Sequence, residues 1–395
     1  MERRRLTDIF SNNNYLIFLK QTCNYQKFCQ RATDAPFLLC TEKQPENQPN
    51  PKNTPMSTRK KQRQQQNRNA LATQRILMFW LPLAAVIFGL VYWTQSRYDS
   101  KRETLAGFDR LNHWRRQAGV TEFTPSETLA QSAQNHALYL TKNADGHEEN
   151  HPSNPHFTGK EPQERATKVG YPAPMVENLT QSNLPRSGKA SVDSLMTAIY
   201  HRLALLNPDH DEAGAAWEND GDNAFVVNQG SSYDREICSQ ETAGQKRYVL
   251  TTQCNGEKRE IPMDEPPPSE HIAVKYPIGS GIDPSYDGKE VPSPVPDLGK
   301  TGNPISIAFY GETSPIRVES YKLTSPKGEV SNTRMLDASN DPNRLLTETQ
   351  FVLFPVKPLE YNTEYTVEFT YLQDNQRKTE TWTFRTRRKR GLFDF

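Results

Sequence analysis

Residues that could bind a metal ion or transfer protons are concentrated between Gly146 and Leu179. This stretch carries His147, several glutamates and no sustained apolar pattern. Neutral imidazoles and carboxylates are ligands for divalent metals such as Zn²⁺, and the same groups act as general acids and bases. A charged loop exposed to solvent has a similar composition. The elements around the stretch decide between the two interpretations, because chemical groups must converge on one point to act together.

Length and composition set the first limits. With 395 residues the chain is long enough for two or three domains, each with its own core. Lys and Arg (48) nearly balance Asp and Glu (47), which gives a net charge of +1. The chain therefore has no strong overall field to attract nucleic acid, and we expect no nucleic-acid partner. A hydrophobic content of 34% with 29 prolines indicates linkers or a disordered end beside the folded parts.

An uncharged run from Ile76 to Trp93 predicts one transmembrane helix, which we assign to residues 76–94. Its length lies in the range of about 17–25 residues that crosses a bilayer. Basic residues without acids precede the run, whereas both signs are mixed after it, so residues 1–75 should be a basic cytoplasmic segment. The later domains should then be periplasmic or extracellular. A buried core helix and a cleaved signal peptide are the alternatives, but no A-x-A pattern follows the run.

The cysteines agree with this division. Cys238 and Cys254 are the only two after the apolar run, and in an oxidising compartment such a pair indicates a disulfide. The three cysteines before the run should stay reduced, and their spacing matches no zinc pattern. Met56 opens a basic stretch typical of the start of an anchored protein. Residues 1–55 are therefore interpreted as a disordered tail or an upstream extension of the gene.

Helical and then strand-like patterns predict an α+β domain over residues 100–258. Apolar side chains recur at helical spacing upstream of Gly119 and again after Ser126, a candidate N-cap. A third helix is predicted from Val192 to Leu206. Short strand-like runs follow, AGAAW, NAFVVNQ and KRYVLTTQC. Glu161, Glu164 and Arg165 are interpreted as the first turn of a short helix, where the helix dipole favours the acids.

A proline-rich linker at 259–269 leads to a second pattern at 270–386. Runs around Phe309, Val367 and Trp382 alternate with period two, as in the strands of a β-sandwich. Tyr365 is placed like the tyrosine corner of immunoglobulin-like domains, although no cysteine lies here to pin the sheets. Residues 387–395 form a basic tail, for which a solvated terminus is favoured over contact with anionic lipid or nucleic acid.

Residues 105–230 resemble the bacterial, SCP-like branch of the CAP superfamily, which includes cysteine-rich secretory proteins, antigen 5 and pathogenesis-related 1. The resemblance rests on the order and spacing of several short motifs and covers about a third of the chain. The motifs are His136-Ala137, His147, Phe157 to Gly159, Arg165, Gly170-Tyr171, Glu177 to Leu179, Tyr200 to Arg202, and Gly214. Residues 270–386 resemble a bacterial immunoglobulin-like module by pattern alone.

The resemblance implies an α-β-α sandwich whose cleft is lined by two His and two Glu and holds a divalent metal in some members. Carried onto this chain, the cleft residues are His147, Glu177 and His201, which are also the candidate metal ligands. The second family Glu would precede His201, where DSLMTAIY has none. The three groups could hold Zn²⁺ with an open position for water. They could equally form a hydrogen-bonded cluster that fastens the loop to the helix.

The other histidines are weaker candidates. His151 and His156 flank prolines and should be solvated, whereas the acids beside His210 could raise its pKa or cap a turn. His136 lies on an apolar helical stripe, which favours a satisfied histidine in the core or cleft wall. His151, His156 and His210 serve only as reserve ligands besides His147 and His201.

These patterns favour a membrane-anchored, extracytoplasmic CAP protein that binds a lipid, glycan, peptide or protein at the cell envelope. The alternative is a metal-dependent hydrolase acting on an envelope polymer or peptide. A purely structural envelope protein is a third interpretation. No Ser or Cys nucleophile with a paired base is recognisable, so we do not predict a catalytic residue.

Overall fold

The computed structural model describes residues 56–96, 98–240, 247–265, 271–312 and 314–389. The predicted tail at 1–55 and the last six residues lie outside this part of the chain. The first described elements are α1 (Met56–Arg75), a π-helical turn (Ile76–Trp80) and α2 (Leu81–Ser96). No helix in the described ranges is both long enough and apolar enough to cross a membrane.

A four-stranded sheet with helices on both faces follows, and it confirms the predicted mixture of helix and sheet. The strand order is β1-β3-β4-β2, with β1 parallel to β3 and the other pairs antiparallel. The helices are α3 (Ser100–Gln117), α4 (Glu127–Leu140), α5 (Pro162–Lys168), α6 (Gly188–Thr197), α7 (Ile199–Leu205) and α8 (Ser232–Ser239). The strands are β1 (Thr124–Pro125), β2 (Met175–Ser182), β3 (Glu212–Asn219) and β4 (Asn223–Gly230).

The central strand β4 shows how the layers are held together. Every residue of β4 is buried, because successive side chains point to opposite faces and both faces are covered. Phe225 and Val227 belong to a core cluster with Leu111 of α3 and Val192 of α6, whereas Val226 packs in another with Ala133 of α4. The order of layers is helix, sheet, helix, as the α-β-α prediction requires.

The caps and close approaches follow from particular residues. Ser126 caps α4 as predicted, since its hydroxyl accepts a hydrogen bond from Leu129 N. Gly119, with φ +74, follows the end of α3, also as predicted. Gly214 lets α4 pack directly on β3, because a Cβ there would lie 1.9 Å from Ala130 N.

The predicted helix from Val192 to Leu206 is two helices. Ala198 has extended φ/ψ angles of −87° and 121° and separates α6 from α7. After this change of direction, α7 contacts the C-terminal part of the chain. Helical periodicity in the sequence does not indicate such a long-range contact.

A hairpin of β5 (Tyr248–Cys254) and β6 (Glu257–Met263) comes next. The predicted disulfide between Cys238 and Cys254 is present and ties this hairpin to α8. Since β6 extends to Met263, the first residues of the predicted 259–269 linker belong to this hairpin.

The C-terminal part forms two main sheets, in the orders β14-β15-β11-β7 and β13-β12-β16-β17-β8. Apolar residues from both sheets, among them Ile307 and Phe369, share one core, and Tyr365 OH accepts a hydrogen bond from Glu360 N at 2.9 Å. This arrangement is compatible with the predicted immunoglobulin-like module. The strands are β7 (Ile272–Tyr276), β8 (Gly279–Ile282), β9 (Ser285–Tyr286), β10 (Thr301–Gly302), β11 (Ile305–Tyr310), β12 (Arg317–Ser325), β13 (Gly328–Glu329), β14 (Thr333–Leu336), β15 (Gln350–Pro355), β16 (Glu364–Gln373) and β17 (Gln376–Thr386).

The sandwich and the preceding α+β domain share a core. Trp114 of α3 meets Tyr276 of β7 edge to face, with ring centroids 5.6 Å apart, and both belong to the same buried cluster. The two domains are therefore packed together and not merely linked.

Candidate functional site

The candidate site is built around Glu177, the third residue of β2. Its side chain is 1% exposed, and its Oε1 accepts a hydrogen bond from Nδ1 of His147 at 3.1 Å. His147 lies in the loop after α4 and its side chain is 41% exposed. The structure therefore brings together two of the predicted cleft residues, one buried and one reachable from solvent.

A buried guanidinium holds the Glu177 carboxylate. Nη2 of Arg165 donates to both Glu177 oxygens at 2.9 Å, and also to the His147 backbone carbonyl at 2.9 Å. Burial alone raises the pKa of Glu177, but the hydrogen bond from His147 and the charges of His136 and Arg165 outweigh it and keep the pKa below its usual value. Glu177 is therefore an anion with Arg165 as its counter-charge.

The sequence placed Arg165 in a short helix without revealing this role. α5 begins after Glu161, and Glu161 with Glu164 forms the capping box that fixes its first turn. Arg165 is completely buried and points from this turn toward β2. The motif order that includes Arg165 was the only signal of its importance.

His136 supports the site, and both of its ring nitrogens have hydrogen-bond partners, as predicted. It is fully buried on α4, with Nδ1 3.0 Å from Glu149 Oε1 and Nε2 2.9 Å from the Gly146 carbonyl. Glu149 is buried too, and its other oxygen accepts from Thr158 N at 2.7 Å. Sequence reasoning missed Glu149, because nothing in HEEN distinguishes it from the half-exposed Glu148.

His201 forms the opposite side of the site. Its Nδ1 donates to Asn178 Oδ1 at 3.0 Å, and its ring is stacked with that of His147 at a centroid distance of 6.1 Å. Burial, together with the charge of His147, lowers the pKa of His201 to about 4. His201 is therefore neutral at pH 7, and its Nε2 carries a lone pair.

The reserve histidines have partners of their own. His151 is 55% exposed and lies 3.6 Å from Asp145, and the partly exposed His156 follows a turn closed by Asn154. His210 accepts a hydrogen bond from Gln229 Nε2 at 2.7 Å. Burial and then the charge of Arg115 lower the pKa of His210 to about 4 and outweigh Asp211, which raises it, so the net shift is opposite to the predicted rise.

The donors around Glu177 can be compared with what a metal ion requires. Both Glu177 oxygens already accept from Arg165, whose positive charge would oppose a cation at the same carboxylate. In the described ranges no group of three His, Cys, Asp or Glu side chains is arranged to hold a metal. The donors do not fit a metal in this arrangement, and Zn²⁺ binding by His147, Glu177 and His201 stays a prediction.

What the site offers is two imidazole Nε2 atoms for hydrogen bonding. With Nδ1 of His201 donating to Asn178, the neutral His201 ring has an Nε2 lone pair that can accept, and Nδ1 of His147 is used by Glu177, which leaves its Nε2 for a ligand. The chain's two cysteines after residue 55 are joined in the disulfide, so neither is a free nucleophile.

Comparison with known proteins agrees with the motif order. Residues 108–229 match the model of the cysteine-rich secretory protein family, CAP. Among solved structures, the chain is similar to an outer surface protein of Borrelia burgdorferi, with 21% identity over 34% of this chain and 96% of that one and a TM-score of 0.29. It is also similar to a cysteine-rich secretory protein of Staphylococcus aureus, with 15% identity over 33% of this chain and 40% of that one and a TM-score of 0.26. No curated protein matches the chain.

Proposed function

We propose that the CAP domain of residues 108–229 binds an envelope polymer rich in hydroxyl and amide groups, such as peptidoglycan. The observation that carries the proposal is the pair of imidazoles of His147 and His201, whose Nδ1 atoms are used by Glu177 and Asn178 and whose Nε2 atoms are left for hydrogen bonds with a ligand. His147 is 41% exposed, so a polymer can reach it from solvent. Sugar hydroxyls and peptide N–H groups supply the matching donors.

The proposal places this domain outside the cytoplasm, held by a membrane anchor at Ile76 to Trp93. The run has no charge, and large apolar side chains such as Phe79 and Phe88 are 69% and 75% exposed. Exposed apolar surface of this kind favours a lipid environment. The Cys238–Cys254 disulfide suits an oxidising compartment. Protease added to intact spheroplasts should digest the domains after residue 98, and their protection would refute this orientation.

The alternative function is metal-dependent hydrolysis of the same kind of polymer. It requires a divalent metal at His147, Glu177 and His201, and Glu177 is occupied by Arg165. A metal would therefore need that ion pair to rearrange. We rank binding first for this reason.

Co-sedimentation of the full chain with insoluble peptidoglycan tests both functions. We expect His147→Ala and His201→Ala each to weaken binding by about fivefold, since each removes one hydrogen-bonding imidazole. His271→Ala is the matched control, because His271 lies in the sandwich with a side chain 65% exposed. Equal binding by all four proteins would refute the proposal. Soluble fragments that wild type releases only after Zn²⁺ is added would establish the hydrolase instead.

A further inference from the structure

α7, the short helix that carries His201, lacks a cap from its own domain. Its N-cap residue is Ala198, which has no side-chain oxygen to accept from the first backbone N–H groups of the helix. In an isolated domain those donors would face water or remain unpaired. The lack of a local cap raises the question of what holds this turn.

Glu290 of the C-terminal domain supplies the missing acceptor. Its Oε2 accepts from Ile199 N at 2.8 Å, and its Oε1 accepts from Tyr200 N at 2.7 Å and His201 N at 3.2 Å. A carboxylate at this end of a helix also matches the direction of the helix dipole. The contact joins residues that are about 90 positions apart in sequence.

Glu290 is itself fixed in position. The residue is 7% exposed, and its backbone N–H donates to the hydroxyl of Tyr286 at 3.2 Å. Tyr286 is buried in a cluster that includes Ile199 and Leu203 of α7. The carboxylate is therefore held by a packed surface and not by a free loop.

The neighbours of His201 are anchored in the same domain. Tyr200 OH donates to Asp341 Oδ1 at 2.5 Å. The buried Arg202 donates to the Pro304 carbonyl at 2.9 Å and lies over the ring of Tyr276, 4.6 Å from its centroid. His201 thus sits between two side chains that both bind the sandwich.

We infer that the sandwich domain supports α7, the helix that carries His201, and that Glu290 is the positioning residue that fixes His201 opposite His147. The sandwich is in this respect a part of the site and more than a spacer. Glu290 reaches His201 through the backbone N–H, at 3.2 Å, and not through the ring. This positioning role does not depend on which ligand the cleft binds.

The test is amide hydrogen exchange and histidine NMR on the full chain. In Glu290→Ala, we expect the amides of residues 199–201 to exchange about tenfold faster, the size of effect typical of a lost helix cap, with the amides of α4 unchanged. The ring signals of His201 should shift while those of His271 stay in place. Glu290→Gln should restore part of the protection, because its amide oxygen still accepts. Glu360→Ala is the control, since Glu360 is an exposed partner of Lys327.

Unchanged exchange at residues 199–201 in a folded Glu290→Ala variant would overturn the inference. Faster exchange spread evenly over both domains would overturn it as well, because that pattern indicates a general loss of stability. If Glu290→Ala does not fold, the same measurements on Glu290→Gln decide between the outcomes. Local acceleration with a His201 shift in Glu290→Gln supports the positioning role, and wild-type values refute it.

Discussion

Replacing Arg165 with methionine should destabilise the CAP domain severely. The arginine side chain is 0% exposed and Glu177 is 1% exposed, so the substitution leaves a buried carboxylate without its counter-charge. Breaking one side of a buried ion pair typically costs about 3–5 kcal/mol. The variant also loses the bonds that Arg165 makes to the backbone carbonyls of His147 and Lys160. We therefore expect a loss at the upper end of that range.

A double-mutant cycle isolates the ion pair from these backbone contacts. Glu177→Gln removes the charge that Arg165→Met would strand, so the double variant should be more stable than the sum of the single losses predicts. We expect a coupling of about 2 kcal/mol. Urea unfolding followed by tryptophan fluorescence measures all three variants, with Trp114 and Trp217 as buried reporters in this domain.

The matched control is Arg334→Met. Arg334 makes a bidentate pair with Asp297 of the same type, but the two side chains are 37% and 61% exposed. Exposed pairs contribute about 1 kcal/mol or less. A loss below about 1 kcal/mol for Arg165→Met, or additive single losses in the cycle, would refute the account of a buried charged cluster.

Three further outcomes follow from the structure. Reducing the Cys238–Cys254 disulfide, which closes a separation of 16 residues, should lower the free energy of unfolding by about 3 kcal/mol, as measured by thermal unfolding with and without dithiothreitol. The pKa of His210 is near 4 when folded and about 6.5 when unfolded, so the unfolded chain binds more protons between these values and stability falls by up to about 3 kcal/mol as the pH drops through that window. His201, whose folded pKa is also about 4, should contribute a similar loss, so His210→Gln should remove about half of the stability lost between pH 7 and pH 4.5 in unfolding experiments. Tyr365→Phe removes the acceptor of the tyrosine corner and should cost about 1 kcal/mol, whereas Tyr361→Phe, at a 40% exposed position, should cost nothing measurable.

The elements predicted most accurately from sequence are those whose signals are local. α4 has an apolar stripe and a serine N-cap, and α3 is followed by a glycine with positive φ. The strands around Phe309, Val367 and Trp382 alternate because one face of each sheet packs on the core. In each case the neighbouring residues carry the whole signal.

β2 and α8 are among the elements that were missed, because their sequences look like loops. β2 reads MVENLTQS, with only two of its eight residues fully buried and one of those a glutamate. β2 is a strand because it pairs with β4. A polar sequence does not indicate this pairing. α8 is only eight residues long, too short for a periodic pattern to stand out.

The sequence anticipated that three candidate residues lie near one another, but it did not indicate the residues that support them. The motif order identified His147, Glu177 and His201, and the structure places these residues together. Glu149 and Glu290 escaped notice, because burial and long-range contacts decide which of many similar acids matter. The interruption at Ala198 has the same origin, since it turns α7 toward the sandwich domain.

The most direct test of cleft binding is histidine NMR of the full chain titrated with soluble peptidoglycan fragments. Two imidazoles that form hydrogen bonds with the polymer predict saturable shifts of the His147 and His201 ring signals, with His271 unmoved. Cleft signals that stay constant at saturating fragment concentration would contradict the proposed binding site.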